Sequence, residues 1–353
     1  GTVWPEPKSS AAGSRTMQFI EQFKKRNWKI TFACAAADSP FAIDLEKEGV
    51  NKVSIELNNS SFDEFIKTLQ PTIVLFDRFM MEEQFGWRVA EHCPDAFRIL
   101  DTIDLHCLRL ARQQAFKEKR EFVLDDILDT DVAKREIASL YRCDSTIMIS
   151  EYEMDVLQTL FKIDQGMLHY TPFLLDQLQQ KDIENWPAFE ERQHFVTIGN
   201  FLHEPNWNGV LFLKEEIWPL IRKQLPNAEL HVYGAYPSLK VTQLHNAKEG
   251  FFIKGRAESA REVMLKAKIC LAPLRFGAGL KGKLIDAMEC GTPSITTTVG
   301  AEAMHGALNW AGAVTNNAAE FAAYAIELHN DKSKWQVAQQ NGIHIINAVF
   351  AKE

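Results

Sequence analysis

The sequence predicts an α/β protein built from two doubly wound domains, on three observations. Short apolar runs rich in branched residues alternate with longer helical patterns, the rhythm of βαβ units that build a parallel sheet. The alternation breaks once, between Asp176 and Gln193, where the chain turns polar and carries Pro187, and then resumes. At 353 residues the chain exceeds the usual size of one hydrophobic core. A single α/β barrel would satisfy the length alone; the break favours domains at 1–178 and 194–353, joined by a linker at 179–193.

In the first domain, strands are expected at 29–35, 52–57, 73–76, 98–103, 146–149 and 168–170. A helix at 13–27 turns Met17, Ile20 and Phe23 inward and ends on Lys24, Lys25 and Arg26, followed by Trp28. Capping boxes start two further helices, Ser61 with Glu64 and Ser150 with Glu153, where hydroxyl and carboxylate satisfy free helix amides. In the second domain, strands are expected at 195–198, 229–233, 251–254, 269–273 and 294–297, and Ser259 opens a helix at 259–267 with another such box. Both ends read as trimmed: Gly1-Thr2-Val3 looks like the exit from a first strand, and the last helical pattern, which is expected to cross back to the first domain, stops without a cap.

A composition of 46% hydrophobic and 24% charged residues matches an ordinary folded protein and argues against extensive disorder. The net charge of -8 gives no basic footprint for a nucleic-acid polymer, while small anionic ligands remain open. Six scattered cysteines form neither a disulfide framework nor a C-x-x-C metal pattern, which fits a reducing cytoplasm. No apolar run approaches the ~20 residues that span a bilayer, so any membrane contact is expected to be peripheral, at the inner face.

The chemistry concentrates at 269–293. A buried strand runs into Gly277-Ala278-Gly279-Leu280-Lys281-Gly282-Lys283 and then a helix, which Gly291 and Pro293 stop. Strand, glycine loop and helix N-terminus together present free amides and the positive end of a helix dipole at the carboxyl edge of a sheet, an anion site. Gly277 and Gly279 let the backbone approach a ligand, and Lys281 and Lys283 add charge for a diphosphate. The same spacing also suits a tight turn with two solvated lysines.

With Asp286-Ala-Met-Glu-Cys-Gly-Thr-Pro and Val299-Gly-Ala-Glu downstream, the segment resembles the donor-site signature of retaining group one glycosyltransferases, the family-four class with the GT-B fold. The likeness extends upstream through Thr197-Ile-Gly-Asn-Phe-Leu-His-Glu-Pro-Asn-Trp-Asn-Gly209, Glu229-Leu-His-Val-Tyr-Gly234 and Phe251-Phe-Ile-Lys-Gly-Arg256. It implies two Rossmann-like doubly wound domains facing a central cleft, a nucleotide-sugar donor (UDP-, GDP- or ADP-linked) on the second, a glycan or lipid-linked acceptor on the first, and retained anomeric configuration. Work of this kind belongs to cell-envelope polysaccharide synthesis. No metal and no cofactor is expected, because basic side chains and helix amides stabilise the leaving diphosphate.

By the same resemblance, Asn200, His203, Asn206, Gly234, Arg256 and Asp286 join the loop in holding the donor, and Gly13, Ser14 and Arg15 form a loop against its phosphates and the acceptor. The family's reactive histidine falls in register with Asp104, with His106 two residues on, so either is a candidate catalytic residue. Two departures stand out. The family's pair of glutamates becomes Ala278 and Asp286, so a sugar contact is missing and discrimination between sugars should be weak. The basic pair after the second domain's first strand is replaced by Asn200, His203 and Asn206.

Other readings of single residues stay open: a buried or capping carboxylate for Asp101, a solvated helix face for Arg109 and Arg112, and a dipole partner or an anionic-membrane patch for Lys24–Arg26. Two rival functions share the fold, a nucleotide-sugar epimerase and a catalytically silent sugar-nucleotide binding or scaffold protein.

Overall fold

The computed structural model describes residues 1–352, which divide into two compact units. Unit 1 comprises 1–7, 12–173 and the three-residue stretch 278–280; unit 2 comprises 8–11, 174–277 and 281–353. The polar stretch 179–193 thus lies within unit 2, where it carries a short helix and buries Trp186 and Arg192.

Unit 1 holds strands β1 (Thr31–Cys34), β2 (Asn51–Ser54), β3 (Ile73–Asp77), β4 (Phe97–Thr102), β5 (Ser145–Met148) and β6 (Leu168–Tyr170). They form a parallel β1-β2 pair and a parallel sheet in the order β3-β4-β5-β6. The Gly1 amino group donates to the Ala33 carbonyl and the Thr2 amide to Asp77, so the first residues run between β1 and β3. The helices are α1 (Ala11–Lys25), α2 (Ser61–Leu69), α3 (Phe79–His92), α4 (His106–Lys117), α5 (Asp131–Arg142) and α6 (Glu151–Leu160). Phe62, Phe85, Val89, Leu100, Leu108 and Leu157 lie in the main core of this unit.

Unit 2 holds β7 (His194–Ile198), β8 (Leu230–Tyr233), β9 (Phe251–Gly255), β10 (Ala267–Ala272), β11 (Ser294–Thr296) and β12 (Gly312–Val314), in the parallel order β12-β11-β10-β7-β8-β9. Its helices are α7 (Gln180–Ile183), α8 (Glu204–Phe212), α9 (Trp218–Gln224), α10 (Leu239–Thr242), α11 (Ala260–Lys266), α12 (Gly282–Glu289), α13 (Thr298–Ala301), α14 (Ala318–Asn330) and α15 (Lys332–Ile345). The strand order reverses between β7 and β10, the switch point where open α/β sheets bind ligands. The chain end stays in this unit, with the Leu175 amide donating to Phe350 O and Lys352 to Leu175 O.

Local signals were met unevenly. Ser259 accepts from Glu262 N at the start of α11, the serine half of its expected box. At α2 the expected box is absent: Ser60 takes the cap position without a side-chain bond, and Asn59 accepts from Ser61 N at 2.8 Å. Ser150 caps α6, but Glu153 turns inward with Val156 and Leu157, so burial on the core stripe overrides the second half of the box. Arg112 is buried rather than solvated, with its guanidinium over Phe122 and Tyr152. Strand β12, which sequence reading missed, is three residues of Gly-Ala-Val without the branched run that marks its neighbours.

Candidate functional site

In unit 2 the loops that follow β7, β8, β9 and β10 meet at the carboxyl edge. Gly199 N donates to Tyr233 O and Gly234 N to Gly255 O, which laces the first three loops together. Gly234 cannot carry a side chain here, since a Cβ would come 2.2 Å from Gly199 O, while a Cβ on Gly199 would displace the side chains of Asn206, with Cγ at 2.7 Å, and Lys283, with Nζ at 2.9 Å. Gly199 is a site residue that sequence reading did not single out.

Three expected donor residues converge on this point. Lys283 Nζ donates to Asn206 Oδ1 at 2.7 Å, and Asn206 Nδ2 donates to Asn200 O at 2.8 Å. His203 caps α8 through its backbone, its amide on Asn200 O and its carbonyl accepting from Asn206 N. Asp286 lies one turn along α12 from Lys283 and makes no hydrogen bond. Burial pushes the Lys283 ammonium down to about 8 and the Asp286 carboxyl up to about 7, and it also raises Glu289. Among the described residues Lys283 has one hydrogen-bond partner, a neutral amide, and it lies beside the first-turn amides of an eight-residue helix, so the site carries net positive potential while its neighbour Asp286 is protonated.

Arg256 stands after β9 with Nε 3.4 Å from Ser9 Oγ, and Ala11 of the same short segment packs close to Gly282. Lys281 is buried, and its amide donates to Met304 Sδ at 3.2 Å. Arg275 reaches back to Asn208 Oδ1 at 2.7 Å and lies over Phe212. The expected row of free loop amides is therefore shorter than the sequence suggested. Gly279 N is taken as well, by Glu153 Oε1 at 2.7 Å. The stretch Ala278–Leu280 belongs to unit 1, where Ala278 packs against the main core instead of facing open space. Gly279 has φ +64°, and a Cβ there would come 2.6 Å from Ile103 O and 2.9 Å from Asp104 Cβ.

At the carboxyl edge of unit 1 the charges pair with each other. Arg15, expected beside the donor phosphates, is 1% exposed and donates to Asp101 at 3.0 Å and to the carbonyls of Thr171 and Pro172. It is structural, and Asp101 is its buried counter-ion. Gly13 packs on the Glu6 backbone and Ser14 Oγ donates to Pro7 O at 2.9 Å, so this face of α1 holds the 4–7 turn. Asp104 accepts from Arg109 Nε at 2.6 Å. His106 Nδ1 lies 3.2 Å from Asp104 O, and its ring meets Phe79 edge-on at 5.4 Å. Two buried carboxylates hold the start of α4: Glu136 accepts from the amides of His106 and Cys107, and Glu153 from that of Leu105.

The cations at the end of α1 are largely answered locally. Lys24 pairs with Glu48 and Lys25 with Glu21, and Arg26 donates to Gln22 O, while Trp28 stacks on Phe23 and stays 46% exposed. Among the described residues no helix is long and apolar enough to cross a membrane, and no cluster of three or more His, Cys, Asp or Glu side chains is placed to hold a metal ion.

Comparison with known proteins bears on the same loops. The family described as "Glycosyl transferases group 1" matches residues 192–331. No curated protein matches the chain. Among solved structures, the sucrose-phosphate synthase of Thermosynechococcus elongatus is similar with a TM-score of 0.70 at 15% identity, over 99% of this chain and 94% of its own. HepE of Anabaena, solved with UDP and glucose, gives a TM-score of 0.69 at 13% identity, over 99% of this chain and 94% of its own. TarM of S. aureus, solved with UDP among its ligands, gives 0.61 at 14% identity over 82% of this chain, which spans only 55% of TarM. The chain's fold is GT-B, shared with these structures, and its likeness to the group 1 glycosyl transferases lies in residues 192–331 of the second unit.

Proposed function

We propose that the protein is a retaining glycosyltransferase that moves a sugar from a nucleotide-sugar donor to a glycan or lipid-linked glycan acceptor. The observation that carries this reading is the Lys283–Asn206–Asn200 cluster at the switch point, a cation hydrogen-bonded to a neutral amide beside the first turn of α12, with Asp286 as a charged neighbour whose carboxyl burial pushes up to about 7. A diphosphate supplies negative charge, and Asp286 one turn further on offers a carboxyl to ribose hydroxyls. UDP is the first donor nucleotide to test, since HepE and TarM were solved with it. During transfer the leaving diphosphate gains charge, and Lys283 with the α12 amides stabilises it without a metal. In unit 1, Asp104 and His106 supply the polar groups nearest the reacting sugar.

The test is a thermal-shift and calorimetric panel of UDP, GDP and ADP with their sugars, followed by product analysis in EDTA. The proposal expects one nucleotide series to raise the melting temperature and its sugar to be transferred in EDTA. Binding without turnover would favour the silent binding protein, and a donor isomerised without any acceptor would favour an epimerase. A strict Mn²⁺ or Mg²⁺ requirement would contradict the proposed mechanism.

A further inference from the structure

We infer that Glu153 is a positioning residue for the tip of the glycine loop, a role that no reading of the loop itself would assign. Its carboxylate comes from α6, more than a hundred residues earlier in the chain, and is fully buried. One oxygen, Oε1, accepts from Gly279 N at 2.7 Å and from Leu105 N at 3.2 Å. It therefore joins two backbone stretches, the loop tip and the start of α4, through a single charged acceptor. Such charge-assisted bonds are shorter and stronger than neutral ones.

The consequence is geometric. Gly279 is held in a left-handed conformation, in a place where even a methyl group would strike Ile103 O and the Asp104 side chain. Glu153 thus presses the tip onto the peptide that carries Asp104 and fixes Ala278 against the core of unit 1. The chain has no carboxylate at position 278, and the buried one at 153 works on the tip's backbone instead of on a ligand.

For donor binding this inference rests on the proposed function, but its primary test does not. Amide hydrogen exchange at Gly279 is measured by NMR in protein labelled at glycine, isoleucine and methionine, in wild type, Glu153→Gln and Glu153→Ala, with the Ile147 and Met148 amides of β5 as a control for global opening. Wild type is expected to protect Gly279. Glu153→Ala is expected to accelerate its exchange at least a hundredfold and Glu153→Gln about tenfold, since the amide oxygen keeps the bond without its charge, while β5 stays protected. Should Glu153→Ala unfold, Glu153→Gln decides alone: tenfold acceleration at Gly279 with β5 protected supports the role, and exchange within twofold of wild type overturns it. An unprotected Gly279 in wild type also overturns it. UDP titration of the same proteins is the second readout, with affinity expected to fall in the order wild type, Gln, Ala. If wild type binds none of UDP, GDP and ADP, the functional proposal fails while the exchange result still decides the role of Glu153.

Discussion

The carboxyl edges of the two sheets differ in how their charges are answered. In unit 1, Arg15 has Asp101, Arg109 has Asp104, and Glu136 and Glu153 face helix and loop amides, so the polar groups at this edge largely satisfy one another. In unit 2, among the described residues, Lys283 hydrogen-bonds to Asn206 alone and has Asp286 as a charged neighbour without a hydrogen bond to it, and no side chain caps α12. The first edge holds the chain, and the second is where we propose that a charge from outside is received. Burying an ion without its partner costs several kcal/mol unless something compensates, so the lysine without a hydrogen-bonded counter-ion is the better sign of a ligand.

Mutation can break that contrast from either side. The largest effect is expected for Asp101→Ala, which leaves the Arg15 guanidinium buried and unpaired: urea denaturation should report a loss of about 3–5 kcal/mol. Refolded protein should keep its UDP affinity. A loss below about 1 kcal/mol would mean that Arg15 finds other compensation and that the two edges are less different than described.

Turnover sharpens the contrast next. Asp104→Ala and His106→Ala are expected to lower kcat by roughly a hundredfold, the low end of what a positioned acid or base contributes, while UDP affinity stays within about twofold. Normal turnover in both would remove these residues from the reaction.

The dependence on pH has a definite sign. Below about 7 the Asp286 carboxyl is protonated, and below about 8 Lys283 is charged. As pH rises through that window the site gains a carboxylate and loses an ammonium, both unfavourable to a diphosphate. UDP affinity should therefore fall about tenfold between pH 6.5 and 8.5 by calorimetry. A flat profile would mean that neither group faces the phosphates. The smallest effect is expected at the end of α1: with Lys24 and Lys25 already paired, charge reversal at Arg26 should change binding to anionic vesicles less than twofold.

Much of this arrangement was legible in the sequence because it is local. The alternation of strands and helices and the run from β10 through the glycine loop into α12 are contiguous and follow from spacing, while Asn200, His203 and Asn206 come from the family resemblance. The buried pairings were not legible. Arg15 and Asp101 are 86 residues apart and Glu153 and Gly279 are 126 apart, distances over which no periodicity carries information. Glu153 was read as half of a capping box because the S-x-x-E spacing is also that of a helix start. The signal against it was there, since Glu153, Val156 and Leu157 share the stripe that a helix turns to its core. Ala278 looked like a gap at the mouth of an anion site because the loop's contacts with unit 1 lie outside any local pattern.

The most direct measurement is the affinity of UDP for wild type, Lys283→Ala and Arg109→Ala in one calorimetric series at pH 6.5. Lys283→Ala should weaken binding about 10- to 100-fold, or ~1.4–2.8 kcal/mol, with its melting temperature unchanged or higher because a desolvated cation has gone. Arg109→Ala, which removes a cation already paired with Asp104, should bind UDP within about twofold of wild type. Equal affinity in the Lys283 variant, or a larger loss in the Arg109 variant, would contradict the assignment of the donor diphosphate to the edge of unit 2.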